Sequence, residues 1–272
     1  MNNTIIISIL GLGITGFIFS IILVILDKKL KIDIDPLIEK VTEILPGINC
    51  GACGFPGCSN YAKEVVEKKD LFNGCLPGGK EVNDQISSLL GLSTVETLPK
   101  KAIILCSGSK DKAKISTVYK GIHTCQAVNL TSGGPDCKYG CIGEGDCEKV
   151  CPVKAISIVN GLCVIDHNLC IGCGKCVKTC PRKILKLVDT NQVSCVFVVS
   201  CNNPSDMKET KAVCSVGCIG CSLCTKIIKD SPFVINGKLA SFDYLKAKSF
   251  SEKDADIAKE KCPAKTINKF NV

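Results

Sequence analysis

Tryptophan is missing from all 272 residues, histidine occurs only as His123 and His167, and aromatics make up 5% of the chain. Such a sequence lacks the material for the aromatic-rich core of a large enzyme. It also lacks aromatics to interleave with its lysines, and no long basic run occurs, so the formal charge of +8 does not point to nucleic acid as a partner. No P-loop is present and no nucleophile stands beside a base, so bond-making chemistry is not expected of this chain. The two histidines read as surface or packing residues rather than ligands.

Long apolar runs are also missing, with one exception. Thr4 to Leu26 is uncharged throughout and, at 1.5 Å per residue, long enough to span a bilayer core. No basic residue precedes it and no small-residue cleavage site follows, so it does not read as a signal peptide. Lys28, Lys29 and Lys31 come just after it, and the positive-inside rule places the remainder on the cytoplasmic side of a single-pass anchor, residues 1–27. Gly11, Gly13 and Gly16 inside this run spell the dinucleotide-binding pattern G-x-G-x-x-G. Asp33 and Asp35 lie near the required distance but follow lysines rather than a strand, and small residues are ordinary in membrane helices.

What the chain has in abundance is cysteine, 22 residues. Small modules bury little apolar surface and need staples. In a reducing cytoplasm disulfides are not expected, which leaves metal ligation as the leading use of the thiols. Thiolate-bound clusters would also offset part of the +8 charge.

The cysteines fall into four groups. Cys50, Cys53, Cys58 and Cys75 follow C-x2-C-x4-C-x16-C, with a helix expected over Ser59–Lys69 between the third and the fourth. Cys170, Cys173, Cys176 and Cys180-Pro181 reproduce the bacterial ferredoxin run C-x2-C-x2-C-x3-C-P. Upstream, Cys137, Cys141, Cys147 and Cys151-Pro152 end in the same Cys-Pro. In two-cluster ferredoxins the last cysteine of each run serves the other cluster. The expected sets are therefore Cys137, Cys141, Cys147 with Cys180, and Cys170, Cys173, Cys176 with Cys151. Asn160-Gly161 between short apolar runs signals a hairpin. Asn236-Gly237 repeats that signal downstream, and Cys262-Pro263 falls on Cys180-Pro181. In this repeat Ile228 replaces Cys151 and no cysteine matches Cys170, Cys173 and Cys176. One cluster's ligands are thus missing, and Cys218, Cys221, Cys224 and Cys262 remain for the other. Cys214 is an alternative to Cys221. Zinc stays open as a rival occupant, with a zinc-based scaffold as the matching function. Cys163 and Cys195 read as small buried hydrophobes. Cys106, Cys125 and Cys201 read as packing residues, with a further metal site as the alternative.

The stretches ILPGINCGACGFPGC with CLPGG, GIHTC, GGPDCKYGCIGEGDCEKVCPVKAI, CIGCGKCVKTCP and VCSVGCIGC resemble the B subunit of Rnf electron-transport complexes over nearly the whole chain. The resemblance implies an α+β chain of five parts: anchor 1–27, four-cysteine domain 33–92, linker with a strand 93–134, two-cluster ferredoxin module 135–190, and one-cluster module 191–272. It implies four [4Fe–4S] clusters, soluble ferredoxin as electron donor, and other Rnf subunits and the membrane as partners. The implied function is electron relay within a ferredoxin:NAD oxidoreductase coupled to Na⁺ or H⁺ translocation. Rsx-type relays, which reduce a redox-sensing regulator, are the alternative. Lys138, Lys175, Lys178 and Lys226 near the cluster loops read either as steering charges for an acidic ferredoxin or as solvated surface.

Overall fold

The computed structural model describes residues 2–30, 35–95, 97–131, 133–190, 195–227, 230–244, 246 and 252–271. Ile228, where the repeat places a missing ligand, lies outside the described residues, as do Lys31, Asp33 and most of the stretch after Tyr244. The chain divides into two compact units, Met1–Lys40 and Val41–Val272.

The first unit is dominated by α1 (Asn2–Leu30). Its segment Ile6–Leu26 has a mean hydropathy of 2.7 and is long and apolar enough to cross a membrane. Thr15 Oγ1 donates to Gly11 O and Leu12 O, and Ser20 Oγ donates to Gly16 O. These hydroxyls are satisfied within the helix, as a lipid environment demands. Gly11, Gly13 and Gly16 lie inside this unbroken helix. A dinucleotide site needs a strand-to-helix turn there, and none exists.

Helix α2 (Pro36–Ile44) carries the chain across the boundary at Lys40, and the second unit opens with a small helical domain built from α3 (Cys58–Lys68) and α4 (Gly79–Leu90). Tyr61, Ala62, Val65, Leu71 and Ile86 are buried there, and Tyr61 OH donates to Leu71 O at 3.0 Å. Helix α3 stops at Lys69, which turns left-handed at φ 51°.

Two halves of one design follow. The first contains β1 (Lys100–Ile104), α5 (Cys125–Leu130), α6 (Asp146–Lys149), β2 (Ile156–Val159), β3 (Leu162–Ile165), α7 (Lys175–Thr179) and β4 (Leu185–Asp189). The second contains β5 (Cys195–Val199), α8 (Met207–Val213), α9 (Leu223–Lys226), β6 (Phe233–Asn236), β7 (Leu239–Phe242), α10 (Glu252–Lys261) and β8 (Ile267–Asn271). Each half has an inner antiparallel hairpin, β2–β3 or β6–β7. Each also has an outer antiparallel pair, β1–β4 or β5–β8, that joins its first strand to its last. The 93–134 segment is thus more than a linker, because its strand β1 closes the first half.

Strand β5 (CVFVV) reads as an unbroken apolar run because both of its faces are covered, as is the Ala102–Ile104 end of β1, whereas β4 and β8 carry polar residues at their exposed positions. Ala102 and Ile104 of β1 enter the first core with Ile156, Ile165 and Leu185. Phe197 and Val199 of β5 enter the second core with Phe233 and Ile267. The alternate residues Ile103, Val188, Val196 and Val198 meet in a third cluster that binds the halves together.

The two hairpins differ by one residue at the turn. Asn160 and Gly161 both take positive φ between Val159 and Leu162, the I′ pattern. In the second half Asn236 pairs with Leu239 as the last strand residue, and the turn is Gly237-Lys238 with glycine first, the II′ pattern. Where the first half has its Cys170–Cys176 loop, the second has α10, whose Ala255 and Ala258 are fully buried. A small-residue helix face occupies the place of the missing cluster loop.

Candidate metal centres

Cys151, Cys170, Cys173 and Cys176 line one cavity of ≈ 20 Å³, together with Ala102, Ala155 and Gly172. Backbone N–H groups already point at the sulfurs: Ala155 N donates to Cys151 Sγ at 3.3 Å and Ala102 N to Cys170 Sγ at 3.4 Å. Lys101 Nζ also donates to Cys170 O at 2.8 Å, tying the loop to β1. A second cavity, again of ≈ 20 Å³, is lined by Cys218, Cys221, Cys224 and Cys262. Cys221 lines this cavity and Cys214 does not. Cys221 is exposed, so this site lies at the protein surface.

The third cavity, of ≈ 20 Å³, is lined by Cys125, Cys141, Cys147, Cys163 and Cys180. It includes three of the expected thiols but not Cys137. Cys125, at the start of α5, lines it as well. The loop's spacing leaves room for one more thiol. Cys141-x5-Cys147 has the length of x2-Cys-x2 with Glu144 at the middle position, where the other loops carry Cys173 and Cys221. Cys125 and Cys163 reach the same cavity from outside this loop. Thr124 caps α5 by accepting from Ala127 N at 3.2 Å, and Gln126 N donates to Asp146 Oδ2 at 3.3 Å, which fastens α5 to the loop. The backbone N–H groups of Glu144 and Asp146 face the Cys125 sulfur.

The three loops share the triplet Cys-Ile-Gly: Cys141 to Gly143, Cys170 to Gly172 and Cys218 to Gly220. Each glycine has positive φ. A Cβ on it would run into a backbone carbonyl, Gly161 O, Lys100 O or Lys238 O respectively. Only glycine lets the loop fold this closely onto its supporting strands.

Cys50, Cys53, Cys58 and Cys75 form the fourth group, close enough for Cys75 to feel the charge of the other three. Asn83, fully buried, holds this group in place. Its Oδ1 accepts from Cys75 N at 2.7 Å, and its Nδ2 donates to Cys75 O, Gly79 O and Thr97 Oγ1. Asn83→Ala should cost about 2–4 kcal/mol by stranding these partners. Urea unfolding would show the loss, and a midpoint equal to wild type would contradict it.

Arg182 plays a comparable part near the third cavity. Its Nη1 donates to Cys137 O at 2.7 Å and Gly140 O at 2.9 Å, and its Nε to Asn129 Oδ1 at 3.2 Å. Arg182→Ala should destabilise by about 3 kcal/mol and loosen the 137–141 loop. Amide hydrogen exchange at Gly140 and Cys141 would rise, whereas unchanged protection there would count against this role.

Burial pushes the thiols of Cys141 and Cys176 up to about 12, and those of Cys75 and Cys224 up to about 11. Grouped thiols of this kind ionise together only when a cation holds them. Among the described residues no three His, Cys, Asp or Glu side chains are gathered tightly enough for one ion. Thiolates on a single zinc would stand about 3.8 Å apart. Four thiols ringing a cavity, with amides aimed at sulfur, fit a cluster better than a lone ion. Cys163 is buried against Cys147, and Cys195 sits on β5. Cys163 is the fifth cysteine in the lining of the third cavity, with its thiol against Cys147, and Cys195 lines none of the three.

Comparisons with known proteins agree with this geometry. Residues 45–77 match the family described as "Putative Fe-S cluster", and residues 164–185 match "4Fe-4S binding domain". The B subunit of the proton-translocating ferredoxin:NAD(+) oxidoreductase complex of Clostridium ljungdahlii is 38% identical over 268 residues, 97% of this chain and 92% of that protein. This chain belongs to the B-subunit family of ion-translocating oxidoreductase (Rnf) complexes. The B subunit of the ion-translocating oxidoreductase complex of Methanosarcina acetivorans is 39% identical over 246 residues, 89% of this chain and 92% of that one. The B subunit of the Na(+)-translocating ferredoxin:NAD(+) oxidoreductase complex of Acetobacterium woodii is 33% identical over 270 residues, 98% and 79% of the two lengths. As a member of the Rnf B-subunit family, the chain is an iron–sulfur electron-transfer subunit with one candidate transmembrane helix.

Proposed function

We propose that this chain relays electrons from reduced ferredoxin toward NAD-reducing partner subunits of an ion-pumping membrane complex. The observation that carries the reading is the set of three like-sized cavities, two lined by four cysteines and one by five. The proposed ligand sets are Cys50, Cys53, Cys58 and Cys75; Cys151, Cys170, Cys173 and Cys176; Cys125, Cys141, Cys147 and Cys180; and Cys218, Cys221, Cys224 and Cys262. When bound, [4Fe–4S] clusters supply one-electron transfer, in which no substrate bond is made or broken.

The chain's own residues set the spacing and the surroundings. Cys173 lies close enough to Cys50 to feel its charge, and Cys176 to feel that of Cys147. The first three sites therefore adjoin one another in the order Cys50 group, Cys170 group, Cys141 group. Lys175 Nζ donates to Asn49 O at 3.5 Å and fastens the four-cysteine domain beside the first half. Lys138, Lys178 and Lys226 are exposed and free to attract an acidic ferredoxin. Lys28 and Lys29, just past the apolar segment Ile6–Leu26, support a cytoplasmic side for the soluble part.

The test uses membranes from cells with and without this chain. Reduced ferredoxin should drive NAD reduction in the first and not in the second. Equal rates in the two would overturn the reading.

A further inference from the structure

The halves meet around a cavity lined by Cys106, Cys137, Cys201 and Cys214, with Gly108, Gly140 and Gly217 between them. We infer that these four cysteines hold a fifth iron–sulfur cluster, shared between the two halves. The inference extends the reading above, since it takes the other ligand sets as given there.

Four observations support it. The cavity is ≈ 20 Å³, the size of the three assigned to clusters. Its thiols come in related pairs: Cys106 follows β1 and Cys201 follows β5 at the same distance, while Cys137 and Cys214 each stand four residues before the first thiol of a cluster loop. Each half thus contributes the same two positions, as a site on a repeat's internal symmetry requires. Backbone N–H groups point at the sulfurs as they do at Cys151 and Cys170. Cys106 Sγ accepts from Gly108 N at 3.4 Å and Cys141 N at 3.3 Å, and the N–H groups of Asn203 and Cys218 face Cys201. A Cβ on Gly108 would project to 3.4 Å from Cys214 Sγ and 3.7 Å from Cys106 Sγ, and one on Gly140 to 3.5 Å from Cys137 Sγ and 3.6 Å from Cys106 Sγ. Both positions leave the space among the sulfurs open.

The position also completes a chain. Cys141 of the first half feels Cys106, and Cys218 of the second half lies beside Cys201. The four-thiol cavity therefore stands between the Cys141 group and the Cys218 group. An electron received there from one neighbouring group, which is oxidised by one, is passed to the other, which is reduced by one, with no proton or bond involved. The junction is fixed by the bridge between Ala113 and Cys214, by Lys114 N donating to Val213 O, and by Asn268 Nδ2 donating to both Ser107 Oγ and Ser200 Oγ.

Iron, acid-labile sulfide and zinc would be measured on the full chain purified without oxygen. About 20 Fe and 20 sulfide are expected for the wild type. Cys201→Ser and Cys214→Ser should each lose about four of each, and Cys195→Ser, on the same strand as Cys201 but off the cavity, should lose none. A wild type with about 16 Fe, or one zinc that disappears in both variants, overturns the fifth cluster and leaves the other four standing. A chain with no iron overturns the parent reading as well. If both variants misfold, the wild-type count still decides between the two numbers.

Discussion

Cys125→Ser is expected to remove about four Fe and four sulfide from the chain, as much as Cys180→Ser removes. The two substitutions act on one site, so the double variant should lose no more than either alone. Non-additivity of this kind is the signature of shared partners. Cys137→Ser should differ. Its loss should add to that of Cys180→Ser, for a total of about eight Fe, because Cys137 lines the junction cavity and Cys180 does not. The physical basis is the gap at Glu144. A loop that lacks its central thiol needs one from another element, and α5 is capped by Thr124 and fastened through Gln126 N to Asp146 Oδ2 to supply it. If Cys137→Ser and Cys180→Ser together lost only four Fe, the exchange of Cys125 for Cys137 would be wrong.

Gly172→Val should both destabilise the first half and empty the Cys170 site. Gly172 has φ +66°, which a β-branched residue adopts only under strain. Its Cβ would also collide with Lys100 O, a backbone atom held in the β1–β4 pair. Strain and overpacking together should cost about 3 kcal/mol or more. Because Lys101 Nζ and Ala102 N hold Cys170 against β1, the loop cannot retreat without giving up those bonds. Gly91→Ala serves as the comparison. Its φ is +66° as well, yet nothing lies within 4 Å of the added Cβ, so only the smaller backbone strain remains. Thermal unfolding and iron content should both fall far more for Gly172→Val. Equal losses in the two variants would mean that the contact with Lys100 O does not matter.

Much of this architecture is legible in the residues. The C-x2-C-x2-C-x3-C-P run, the hairpin at Asn160-Gly161 and the remote Cys262-Pro263 all carry local signatures, because cluster loops and I′ turns tolerate few alternatives. The anchor is legible for the same reason, since a bilayer accepts little besides a long apolar helix. Two things are not. Cys125 stands far from its loop in sequence, and only the length of the gap at Glu144 hints that a thiol is wanted there. Cys106 and Cys201 end buried strands, where a small apolar residue is the ordinary expectation. Their meeting depends on the outer pairs β1–β4 and β5–β8 packing against each other through Ile103, Val188, Val196 and Val198. Contacts between repeats leave no periodic trace within either one. The same packing explains why Cys137 and Cys214 compete for loop positions when spacing alone is considered: each has a second place to go.

The most direct test of the central claim, that these thiols are grouped to bind iron–sulfur clusters, is metal and sulfide analysis of the full chain purified without oxygen. A brown protein with at least about 16 Fe and an equal amount of sulfide is predicted. A colourless protein that carries zinc and no sulfide would contradict the account.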